Sequence, residues 1–179
     1  MATQSIHQMQ MAYSQVEDRL LLRFNTKDGT EFRFWLTRLF IKQFWPGLVK
    51  AMEVNLPAQS AGHKRSMMGF MHQNVVEQAN FSSAFEPTNT SCPLGEAPLL
   101  VCRSHIQEKG PGLHLLSLYP EKGYGVELGM DQKLLHLLCK LIQDTILQVD
   151  WGLALSLPGT DMEGTPTLTE GGSSGRQLH

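Results

Sequence analysis

Residues 20–36 read Leu-Leu-Leu-Arg-Phe-Asn-Thr-Lys-Asp-Gly-Thr-Glu-Phe-Arg-Phe-Trp-Leu, two alternating runs around Lys27-Asp28-Gly29. That pattern signals a β-hairpin, and its register follows from the side chains. A two-residue turn at Asp28-Gly29 would set Phe24 against Arg33 and Leu22 against Trp35, mixing polar and apolar groups on both faces. A three-residue loop with Gly29 in the left-handed conformation instead pairs Phe24 with Phe32, Leu22 with Phe34 and Leu20 with Leu36. One face is then wholly apolar, as a half-buried sheet requires. Glycine reaches positive φ without a Cβ penalty, so Gly29 suits that loop.

The opposite face pairs Asn25 with Glu31, Arg23 with Arg33, and Leu21 with Trp35. Opposed arginines repel by some tenths of a kcal/mol (~0.5) unless an anion intervenes. Two outcomes are open: a nearby carboxylate (Glu17, Asp18 or Glu31) neutralises them, or the face is a partner-binding patch with Trp35 beside it.

The flanks extend the unit. Ile6 to Tyr13 alternates and reads as a first strand, which Ser14–Asp18 turns back into the hairpin. Thr37 can cap a helix that carries Leu39, Phe40, Phe44, Leu48 and Met52 on helical spacing. Pro46 should kink that helix, or end it and start another. A second helix is expected over Lys64 to Ala79, with Met67, Met71, Val75 and Ala79 along one side. Its methionines (Met67, Met68, Met71) suit irregular core filling. Phe81 to Pro98 is linker-like in composition.

Beyond it, Leu99–Ile106 is strand-like, and Leu113–Tyr119 with Tyr124–Met130 makes another hairpin around Glu121-Lys122-Gly123. The same loop rule pairs Leu118 with Val126, Leu116 with Leu128 and His114 with Met130. Asp131 caps a helix running to about Gln148. Trp151 to Leu157 reads as a final strand, and 158–179 as a disordered tail.

Shifting the first unit by 94 residues lays it on the second: Gly29 on Gly123, Thr37 on Asp131, Leu22 on Leu116, Phe24 on Leu118, Phe44 on Leu138. The expected fold is therefore α+β. Two pseudo-repeated units, each a three-stranded antiparallel meander plus a helix, share one core, with an extra helix between them and a final strand. In domain terms, residues 1–157 form a single domain: 5–56 the first unit, 57–98 the connecting helix and linker, 99–157 the second unit plus strand. The copies differ outside. Arg23, Arg33 and Trp35 correspond to Ser117, Glu127 and Gly129, so only the earlier outer face is basic and aromatic.

Composition narrows the function. A net charge of −2 on 179 residues gives no bulk attraction to nucleic acid, although residues 1–65 carry +4 and the rest −6. Cys92, Cys102 and Cys139 are odd in number and lack zinc-ligand spacing, which fits reduced thiols in the cytoplasm. No stretch reads as a signal peptide or approaches the ~18 apolar residues of a membrane span. Dinucleotide, P-loop, zinc-protease and serine-elbow motifs are missing. His136 and Cys139, three apart on one helix, could touch one metal but have no companion ligand pair. They read as a core cysteine beside a surface histidine. His63 and His72 read as solvent-exposed.

Three segments, Glu17–Arg23, Glu31–Arg38 and Pro93–Leu100, resemble a family of uncharacterised proteobacterial proteins, with similarity over residues 5–155. That resemblance implies a bacterial cytoplasmic protein and carries over no site. The expectation is a non-enzymatic interaction module without cofactor or metal. It would bind a protein partner, or itself as a homodimer, through Leu21, Arg23, Arg33, Trp35 and Arg38. The alternative is single-stranded nucleic-acid binding by the same basic, aromatic face.

Overall fold

The first hairpin forms in the register that its alternation demands. Strands β2 (Arg19–Thr26) and β3 (Glu31–Leu36) pair Phe24 with Phe32, Leu22 with Phe34 and Leu20 with Leu36. Gly29 turns the chain at φ 83°, and the Thr26 amide donates to the Thr30 carbonyl at 3.0 Å. Phe24 stacks on Phe32 and Phe34, with ring centroids 5.0 and 5.9 Å apart. The structure, a computed structural model, describes residues 4–53, 56, 60–80, 85 and 91–160.

Strand β1 (Gln4–Ser14) runs antiparallel to β2. Strands β4 (Leu99–Gly110), β5 (Leu113–Pro120) and β6 (Val126–Asp131) form a second meander, with the predicted pairs Leu118–Val126, Leu116–Leu128 and His114–Met130. The six strands make one mixed sheet that closes on itself in the order β1-β2-β3-β4-β5-β6. Closure rests on two short parallel seams. One joins Phe34 and Trp35 to Leu99 and Leu100, the other Gln4 and Ser5 to Leu128 and Gly129. The meanders are thus joined edge to edge, which removes most of the open sheet edge that each alone would present.

Three helices accompany the sheet: α1 (Arg38–Glu53), α2 (Ala61–Gln78) and α3 (Gln132–Ile146). The Thr37 hydroxyl accepts from the Phe40 amide at 3.1 Å, and the Asp131 carboxylate from the Leu134 amide at 2.7 Å. Helix α1 does not end at Pro46. Pro46 and Lys42, whose carbonyl loses its donor, both lie on the exposed side of the helix, where the loss costs less than it would against the core. Helix α1 packs on β4 and α3, helix α3 on β1 and β6, and α2 on α3 and α1. One apolar cluster takes in Leu22, Phe34, Leu48, Leu116, Leu138 and Met68, so sheet and helices share a core.

Four expectations are corrected. Residues 151–157 form no strand; they cross the helices with Trp151 and Leu157 buried, held by Trp45 Nε1 donating to the Ser156 carbonyl (3.1 Å) and Gln143 Nε2 to that of Leu155 (2.7 Å). Side chains rather than a neighbouring strand therefore satisfy this backbone. The buried side of α2 is Met68, Gly69 and His72, about one position round from the predicted stripe, with Met67 and Met71 only partly covered. Both His72 and His136 are buried rather than exposed. Residues 158–160, expected in the tail, pack on α2; most of the tail (161–179) and of the linker (81–84, 86–90) lies outside the described residues.

Candidate binding surface and buried polar contacts

On the outer face of the first meander, cross-strand pairing sets side chains in rows. One row runs Ala12–Leu21–Trp35–Leu100 over four strands and across the parallel seam. Ala12 and Leu100 are exposed, and Leu21 and Trp35 half-buried. The next row is Gln10–Arg23–Arg33, with Arg23 directly opposite Arg33 as predicted.

Glu31 resolves the repulsion between them. Its Oε1 accepts from Arg23 Nε at 3.0 Å, Arg23 Nη2 at 2.8 Å and Arg33 Nε at 2.8 Å. Glu31 is only 3% exposed. Burial pushes its carboxyl up, but the hydrogen bonds from Arg33 and Arg23 and their charges outweigh that and hold it below the ordinary value. Each arginine makes one further bond: Arg23 Nη1 donates to Gln10 Oε1 (3.2 Å) and Arg33 Nη1 to the Glu96 carbonyl (2.9 Å). The Phe85 ring lies 4.4 Å from the Arg23 guanidinium, a cation–π contact. The linker thus lies over the arginines at Phe85 and Glu96 while Trp35 keeps an outward face.

Arg38 does not join this cluster. It is exposed at the start of α1, where it lines a groove of about 600 Å³ with Leu39, Trp45 and Leu153. Its charge acts on Asp18, which accepts from Trp151 Nε1 (2.7 Å) and Tyr13 Oη (2.8 Å).

Two buried polar features had no sequence signal. His72 of α2 and His136 of α3 meet at an Nδ1···Nδ1 distance of 3.2 Å. Burial and the neighbouring His72 push His136 down to about 4. His72 is lowered by burial first and by Lys140 second, against an opposing effect of Asp144. His114, paired with Met130 on the inner face of β5, has no hydrogen-bond partner at either ring nitrogen, and burial lowers its pKa as well. It borders a groove of about 320 Å³ between β4 and α1, but its nitrogens are shut off from solvent. A larger groove of about 600 Å³ lies between β1 and α3, lined by Met9, Met11, Leu134, Leu137, Leu141 and Phe85.

Among the described residues no cluster of three or more His, Cys, Asp or Glu could hold a metal ion, and no helix is long and apolar enough to cross a membrane. No family model, curated protein or solved structure matches this chain.

Proposed function

We propose that the protein is a non-enzymatic binding module that engages a protein partner, or a second copy of itself, through the row Ala12–Leu21–Trp35–Leu100. The observation carrying this reading is an apolar, tryptophan-bearing row left outward on a sheet whose adjoining charges are already satisfied. Trp is among the residues that dominate binding energy at interfaces, and neutralised arginines beside it lower the desolvation cost of docking. The same neutralisation weakens the nucleic-acid alternative, because Arg23 and Arg33 already donate to Glu31, Gln10 and the Glu96 carbonyl, and Glu31 offsets part of the charge that a phosphate would meet.

The test compares the wild type with Trp35→Ser/Leu100→Ser. Sedimentation velocity over a concentration series reports self-association, and quantitative affinity capture reports other partners. Loss of assembly or of a captured partner, with an unchanged circular dichroism spectrum, is the expected result. Identical assembly state and identical partners would refute the assignment of this row. A single-strand titration at two salt concentrations covers the alternative; no binding at low salt removes it.

We also infer that the halves are two copies of one plan in a bacterial cytoplasmic protein. Supporting this are left-handed glycines at both loops (Gly29 φ 83°, Gly123 φ 92°) and helix caps eight residues after each. Each helix also borders a groove against the first strand of the other half.

A further inference from the structure

Helix α2 stands outside the sheet, with its main packing against α3 and α1. Its buried contacts are Met68, Gly69 and His72, while Phe70 is 71% exposed. Beside the apolar burial of Met68 and the close approach of Gly69 to the Gly159 backbone, the His72–His136 contact is a polar link in this docking.

The geometry defines the contact. The ring centroids are 5.4 Å apart and the nitrogens 3.2 Å, so both Nδ1 atoms lie close to the line between ring centres. A metal chelate needs two lone pairs converging on a third point. Nitrogens that face each other head-on instead share one proton, one Nδ1–H donating and the other Nδ1 accepting. Two protonated rings would oppose N–H to N–H, and the contact would have to open.

We propose that the His72–His136 pair is an acid-released latch, which fastens α2 to α3 while neutral and frees α2 when both imidazoles are charged. This proposal is independent of the Trp35 surface. The charged groups bearing on the pair are Lys140 and Asp144 of α3, themselves joined at 2.6 Å. Helix α1 offers α3 an apolar contact, Met52 against Cys139, and residues 157–160 carry no ionisable side chain.

The sign follows from linkage. Both histidines titrate lower in the closed state than the ordinary value of 6.5. The open state then binds more protons as pH falls. Closure is at full strength above about 6.5 and weakens as pH drops toward about 4. From His136 alone, going from pH 7 to pH 5 favours opening by roughly 20-fold. Lys140 adds to the effect, and Asp144 opposes it.

Amide hydrogen exchange, normalised to intrinsic rates at each pH, tests the latch. Between pH 7 and 5 the protection of residues 61–78 should fall about 20-fold while strands β2 and β5 hold theirs. In the double variant His72→Leu/His136→Leu, α2 protection should no longer depend on pH. Unchanged α2 protection in the wild type, or the same fall in the double variant, would overturn the proposal. Should the variant not fold, an NMR titration of the wild-type imidazoles decides. Two mutually contacting rings titrating well below 6.5, together with α2 amide shifts, are expected, and ordinary titration of both rings refutes the latch.

Discussion

Replacing Glu31 with glutamine keeps the side chain's size and removes the charge on which Arg23 and Arg33 converge. In the wild type one carboxylate oxygen takes three N–H donors from two guanidinium groups, at 2.8 to 3.0 Å. Charge-assisted hydrogen bonds contribute about 1.5–3 kcal/mol each, and breaking a fully buried pair costs about 3–5 kcal/mol. The arginine side chains are 23% and 30% exposed, so solvent screens part of this. The glutamine carbonyl can still accept one bond. We therefore expect Glu31→Gln to destabilise by about 2–3 kcal/mol, including about 0.5 kcal/mol from the uncovered Arg23–Arg33 repulsion.

Urea unfolding followed by circular dichroism at pH 7 measures the cost, and a double-mutant cycle with Arg33→Met isolates its cause. Alone, Arg33→Met should cost about 1–2 kcal/mol, since it removes a bond to Glu31 and one to the Glu96 carbonyl. In the Glu31→Gln background it should cost less, about 0.5–1 kcal/mol, because the Glu96 carbonyl bond is still lost while the repulsion is relieved. The carboxyl titrates below its ordinary value in the folded state, so its contribution is complete above about 4.5 and is lost as pH falls through the lower folded value. Glu31→Gln should remove that acid limb. A change within about 0.5 kcal/mol of wild type, or equal costs of Arg33→Met in both backgrounds, would refute the account.

Two further expectations concern glycines. At Gly69 a Cβ would collide with the Gly159 carbonyl oxygen, so Gly69→Ala must displace residues 157–160 or α2, costing about 1–3 kcal/mol in thermal unfolding and raising exchange in α2. Gly29→Ala and Gly123→Ala place a Cβ at left-handed φ and should each cost about 1–2 kcal/mol with the fold retained; a cost near zero at Gly29 would contradict the three-residue loop there, and at Gly123 the left-handed turn.

What the chain reveals locally and what only the assembled molecule decides divide at α2. The hairpin registers were legible because side-chain period and loop glycine act within a dozen residues, and any slip would send Phe24 and Phe34 to water. The same holds for the caps Thr37 and Asp131, whose hydroxyl and carboxylate reach amides three residues on. Glu31 was legible as one possible neutraliser of Arg23 and Arg33, since it lies on their face of the hairpin; that the linker also meets them at Phe85 and Glu96 was not.

Helix α2 carries no single apolar stripe, so periodicity alone could not choose its buried side. Close approach of the Gly159 backbone to Gly69, and a histidine 64 positions along the chain, set it instead. Closure through two-residue parallel seams is equally invisible in a linear pattern, as is the burial of His72 and His136. Local preferences are written in neighbouring residues, whereas burial and proton sharing depend on which distant surfaces meet, and that is settled only when the chain packs.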